Sequence, residues 1–181
     1  METSVKTKWG IDPTHSEILF KVKHLMITNV KGVFKEFEAS IYTSGDSFLT
    51  SDIELHLKPA SIDTGVADRD AHLRSADFFD VENHPEMIFK GSSVEKADDD
   101  SYTLTGDFTI KGITKQIKLD VEFGGVMKDP WGNEKAGYAI NGKINRKDWG
   151  LNWNATLEAG GLLVSDDVKI SCEIQLIKQS K

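Results

Sequence analysis

Apolar and polar residues alternate with a period of two along most of this chain, as they do in half-buried strands. Ile18, Phe20, Val22 and His24 share one face of an early run, with Lys21 and Lys23 on the other. Ile53, Leu55 and Leu57 alternate with Asp52, Glu54, His56 and Lys58, until Pro59 ends the run because it cannot donate to a ladder. Tyr102, Leu104, Gly106, Phe108 and Ile110 share a face, as do Ile117, Leu119, Val121 and Phe123. The length and regularity of these two runs predict neighbouring antiparallel strands. Tyr138, Ile140, Gly142 and Ile144 form a further strand, and Val168, Ile170, Cys172, Ile174 and Leu176 form the last. Near the start, Trp9 to Ile11 reads as a short strand, and Asp12-Pro13-Thr14-His15-Ser16 as a single turn capped by Asp12. Phe34 and Phe37 fall out of alternation, which predicts a β-bulge between them.

One stretch, Asp63 to Phe79, abandons the period of two. Val66, Ala67, Asp70, Leu73 and Arg74 recur at spacings of three and four, which predicts a short helix. Asp63, Thr64 or Asp68 supplies its N-cap on this reading, and Asp70 and Arg74 stand at i,i+4 for an ion pair. The stretch ends in Phe78 and Phe79, a paired aromatic anchor that needs an apolar seat.

About eight strands joined mostly by short turns, with one helical insertion near residues 64–80, predict an all-β sandwich or an antiparallel barrel. We favour the barrel. One of this strand number is either filled by its own side chains or left open for one small ligand. The 181 residues suit a single domain over 1–181, with no internal repeat or linker.

Composition narrows the function. The net charge of −7 argues against nucleic-acid binding, which needs clustered Lys and Arg. A single cysteine, Cys172, excludes an intramolecular disulfide, and its place in an alternating apolar series predicts a core thiol. No apolar run long enough for a leader or a membrane span follows Met1, so the expected location is cytoplasmic, or periplasmic or secreted if a leader has been removed. The five histidines show no metal-ligand spacing, and no nucleophile or nucleotide-cradle motif is present. We therefore expect no metal, no cofactor and no catalytic residue.

The chemistry on offer is apolar. Phe20, Phe34, Phe37, Phe78, Phe79, Phe108 and Trp149 are many large rings for a small barrel. Singly each packs an interior; together they can line a cavity in which a few polar groups converge. His24, Arg69, His72 and Arg74 are the candidates for those groups, with the helix and its Phe pair lying over the cavity.

These motifs taken jointly resemble the YceI-like family of lipid-binding proteins. The resemblance is carried by Asp12-Pro13-Thr14-His15-Ser16 with Phe20-x-Val22-x-His24, by Val30-x-Gly32-x-Phe34, and by Ser61-Ile62-Asp63-Thr64. It continues in Arg69-Asp70-x-His72-Leu73-Arg74-Ser75-x-Asp77-Phe78-Phe79-Asp80 and His84-Pro85-x-Met87-x-Phe89. Leu104-Thr105-Gly106-x-Phe108-Thr109-Ile110-x-Gly112-x-Thr114, Gly137, Asn145-Arg146-x-Asp148-Trp149-Gly150-Leu151 and Val164-Ser165-Asp166-Asp167-Val168-x-Ile170 extend it over nearly the whole chain. It implies a lipocalin-like barrel holding a long-chain isoprenoid or related amphiphilic lipid, of polyprenyl phosphate or isoprenoid quinone type, often as a homodimer. It also implies that the helix around residues 69–75 closes the structure over the ligand. Two other readings stand beside this carrier: an enzyme acting on a small apolar substrate with His24 or His72 as general base, and a stress-related interaction protein whose barrel is filled.

Overall fold

A computed structural model describes residues 6–25, 27–45, 47–153 and 164–179. Eleven strand segments and one α-helix follow in chain order. They are β1 (Lys6–Ile11), β2 (Glu17–His24), β3 (Thr28–Phe34), β4 (Phe37–Ser44), β5 (Ser47–Leu57), β6 (Ile62–Asp63), α1 (Ala67–Arg74), β7 (Met87–Lys96), β8 (Ser101–Ile110), β9 (Ile113–Lys128), β10 (Glu134–Asn145) and β11 (Val164–Lys178).

The segments pair in the order β1-β4-β5-β7-β8-β9-β10-β11, and β1 pairs back onto β11, which closes an eight-stranded antiparallel barrel. The remaining segments β2, β3 and β6 continue the staves of β1, β4 and β5 past a break in each. The long β11 shows this directly. Leu176 to Lys178 pair with β1, and Val168 to Glu173 pair with β2. Between them Gln175 accepts the Asp12 N–H at 2.9 Å, and its own N–H is taken by the Ser16 hydroxyl at 3.0 Å. The barrel thus has eight staves, three of them broken, and the separate strands read at Trp9–Ile11 and Ile18–His24 are the two parts of one stave.

The breaks have local causes. At Asp12–Ser16 the His15 N–H donates to the Asp12 carbonyl at 3.3 Å, and the Asp12 carboxylate accepts the backbone N–H and the hydroxyl of Thr14 at 3.1 and 2.8 Å, so the expected single turn is present with Asp12 as its cap. The predicted slip between Phe34 and Phe37 is a full break at Lys35 and Glu36. Level with it, Pro59 ends β5 in a 3-10 turn, Pro59–Ser61. The two breaks are stitched together: Lys35 N–H donates to Ser61 O, and Lys58 N–H to Glu36 O.

The helix is shorter than the insertion read from sequence, and its cap differs. Val66 is the N-cap and makes no side-chain cap bond. Thr64 instead turns to the buried Asp70, which accepts both its backbone N–H and its hydroxyl. With Asp70 so occupied, Asp70 and Arg74 form no ion pair. Beyond α1, turns carry the chain through Phe78 and Phe79, whose N–H groups bond to Ser75 O and Leu73 O.

Inward-facing side chains form one large cluster running from Ile18 and Phe34 to Trp149 and Cys172, and a second one of Trp9, Ile41, Ala136 and Leu176. Burial pushes the Cys172 thiol up to about 11, so it serves as a small packing group. Among the described residues no helix is long and apolar enough to cross a membrane.

Candidate functional site

The barrel interior is not full. Where β2, β3 and α1 make the wall, a chamber of about 430 Å³ remains. Strand alternation sends Ile18, Phe20, Val22 and His24 of β2 into it, together with Phe108 and Ile110 of β8, Ile144 of β10, and Val168 and Ile170 of β11. The turn of helix α1 that carries Arg69, His72 and Leu73 forms one side, and Phe78 and Phe79 follow it.

Two rings owe their places to what lies beneath them. Phe20 pairs with Gly32 across β2 and β3, and a Cβ on Gly32 would collide with the Phe20 ring. The ring therefore lies flat on the sheet, where glycine alone leaves room. Phe34 packs on Phe20 at 5.5 Å between ring centres and takes the edge of Phe79 at 5.9 Å. These three rings upholster one wall and leave the middle open.

The charged and polar lining is sparse: Lys23, His24, Asp68, Arg69, His72 and Arg146. Arg69 is half-buried and held in place, its Nε donating to the Thr64 hydroxyl at 2.7 Å and its Nη2 to the Thr64 carbonyl at 2.8 Å. His72 places Nε2 2.9 Å from the Asp77 carboxylate. Its ring meets Phe78 and Trp153 edge-on, at 5.1 and 4.6 Å. Arg146 is 3% exposed and donates to the carbonyls of Leu151, Trp153, Val164 and Ser165. Burial lowers its pKa, against the opposing pull of Asp166 at 4.0 Å. Spent on four carbonyls, Arg146 pins the Arg146–Trp153 loop to the start of β11 and has little left for a guest.

Eight of the eleven residues singled out from sequence line this one chamber: Phe20, His24, Phe34, Arg69, His72, Phe78, Phe79 and Phe108. Three lie elsewhere. Trp149 is fully buried behind Phe108, its indole N–H bonded to the Phe108 carbonyl at 2.9 Å and its ring 5.9 Å from the Phe108 ring. Phe37 opens β4 beside Leu57 and packs on the core, and Arg74 ends α1 away from the lining. Leu73, Arg146 and Trp153 line the chamber without having been singled out. Leu73 was legible, one step from His72 on the helix face; Arg146 and Trp153 lie in an irregular stretch with no period to read. Among the described residues no three His, Cys, Asp or Glu side chains gather as metal ligands.

The chain has clear relatives. A family model described as a YceI-like domain matches residues 9–176. A UPF0312 protein of Staphylococcus epidermidis is 39% identical over 170 residues, covering 93% of this chain and 96% of that one. The crystal structure of a Campylobacter jejuni YCEI protein superposes with a TM-score of 0.76 at 37% identity, over 88% of this chain and 91% of that one. A domain described as polyisoprenoid-binding, from Saccharophagus degradans, shares the fold at 14% identity, with a TM-score of 0.66 over 94% and 98% of the two chains.

Proposed function

This chain belongs to the YceI-like family, and from that premise we propose that it binds and carries a long-chain isoprenoid or similar amphiphile, without catalysing a reaction. The observation that carries the reading is the large apolar chamber beneath α1. Protein interiors normally pack with few voids larger than a water molecule. An apolar chain filling this chamber takes apolar surface out of water at roughly 25 cal/mol per Å².

In this reading Phe20, Phe34, Phe78, Phe79 and Phe108 contact the chain. His24, Arg69 and His72 take a polar head group such as a phosphate or a quinone ring, since a buried polar head needs partners. The polyisoprenoid-binding description of the Saccharophagus degradans domain agrees with the ligand class. Storage or transport of that lipid and a homodimeric state belong to the same proposal.

Native mass spectrometry of the gently purified protein, followed by solvent extraction, tests the reading. A stoichiometric long-chain isoprenoid is the expected result. An apo mass, with no uptake of any added prenyl alcohol or phosphate, overturns it.

A further inference from the structure

Two smaller voids lie beyond the outer chamber, of about 130 and 150 Å³. Their linings place all three in file along the barrel. On β8 the inward residues are met in the order Ile110 in the outer chamber, Phe108 in outer and inner, Leu104 in the inner and Tyr102 in the far one. On β10 the order is Ile144, Ile140, Tyr138 and Ala136, from the outer chamber to the far one. Strand β11 repeats it with Val168, Ile170, Cys172 and Leu176. Three strands agree on one axial sequence, so the voids are compartments of a single interrupted channel.

Among the described residues four side chains line both the outer and the inner void: Ile18, Leu57, Phe108 and Ile170. They come from β2, β5, β8 and β11, and they converge as a partition across the barrel. Phe108 is the one ring among them, and it is buttressed from behind. Trp149 bonds to its carbonyl and packs on its ring, and Phe89 takes its edge at 6.3 Å. Phe89 in turn lies over Gly106, where a Cβ would collide with its ring.

We propose that this partition sets the length of chain the barrel accepts, with the Phe108 ring as the stop against which the tail of the ligand ends. The proposal rests on the carrier reading above, because a stop has meaning only for a chain entering the outer chamber. A ligand that fills the outer chamber gains nothing from further apolar units while the ring stands. Removing the ring joins the outer and inner voids and lets those units be buried.

The test is a ladder of prenyl alcohols of 10, 15, 20 and 30 carbons, titrated by displacement of a fluorescent fatty-chain probe from the full-length protein. Wild type should bind more tightly with length and then level off, with less than about a twofold change per added unit. In Phe108→Ala the gain should continue past that point by about tenfold or more per prenyl unit, since each newly buried CH₂ group contributes roughly 0.8 kcal/mol. Phe108→Met, which keeps the core filled with a flexible side chain, gives the same direction if the alanine variant does not fold. Identical length profiles in wild type and both variants, with binding intact, overturn the partition and leave the carrier reading standing. Failure of the wild type to bind any member overturns both.

Discussion

The two halves of this barrel obey the same alternation and end differently. In the half closed by β1, side chains from opposite walls meet. Phe48 of β5 reaches Tyr138 of β10 at 4.7 Å and Tyr102 of β8 at 5.3 Å, and Tyr138 meets Phe123 at 5.2 Å. Trp9, Ile41, Ala136 and Leu176 are 5% exposed or less around them. In the half walled by β2, β3, β6 and α1, Phe20 lies down on Gly32, and Phe34 and Phe79 stack along the same wall. The larger void of that half follows from the direction in which its rings lie and from the turn in each broken stave, which lets β2, β3 and β6 follow a course of their own.

The comparison is easiest to break through stability. Val121 is 1% exposed and borders none of the three voids, so Val121→Ala should cost about 2 kcal/mol. Ile144 borders the chamber and is only half-buried, so Ile144→Ala should cost about 1 kcal/mol, because it enlarges a space that already exists. Urea unfolding of the delipidated protein measures both, and equal losses would mean that the two halves are packed alike.

A second substitution sharpens the account of how the void is kept. Gly32→Ala should lift the Phe20 ring off the wall and into the chamber. The expected outcome is a barrel that still folds, with circular dichroism unchanged, and prenyl binding weakened about tenfold, in line with the one to three kcal/mol that overpacking costs. Unchanged affinity would show that the ring can move aside without entering the ligand space.

The smallest effect concerns the junction between the halves. Burial disfavours the charged form of Asp12, but Lys135 at 2.9 Å, His15 at 2.8 Å and Thr14 outweigh it and hold the carboxyl well below its usual range. A lowered folded-state pKa contributes stability that is complete above the unfolded value, about 3.9, and is lost as pH falls below it. Asp12→Asn should therefore flatten the fall in urea midpoint between about pH 4 and pH 2. A parallel acid limb in wild type and variant would remove Asp12 from the account of this junction.

Much of this was legible before any coordinates. The runs Tyr102–Ile110 and Ile117–Phe123 are adjacent antiparallel strands, and Leu104 pairs with Leu119 between them. The place of Pro59 at the end of its strand was equally readable, because its missing N–H is a property of the residue alone. The period read in the Asp63–Phe79 stretch picked out Val66, Ala67, Asp70, Leu73 and Arg74, whereas Asp68, Arg69, His72 and Leu73 line the chamber, so the pattern gave the helix and, of its inner face, Leu73 alone. The helix cap was not legible, because Asp70 satisfies Thr64 from inside the helix, and a side-chain bond six residues apart leaves no trace in a local pattern.

Trp149 marks the boundary. Its size and context made it a credible cavity residue, but a period of two or of 3.6 says which face a side chain takes and nothing of how far it stands from the axis. It stands one layer back, holding Phe108. Local pattern gave an all-β chain with a helical insertion and an apolar inner face, because propensity, alternation and proline act locally; the β1–β11 pairing then settled barrel over sandwich. Tertiary structure alone decided which rings lie down and which meet, how the interior divides into compartments, and that Arg146 is consumed by four carbonyls. Those outcomes depend on contacts between strands far apart in the chain, where the geometry of closure, and no local rule, sets the distances.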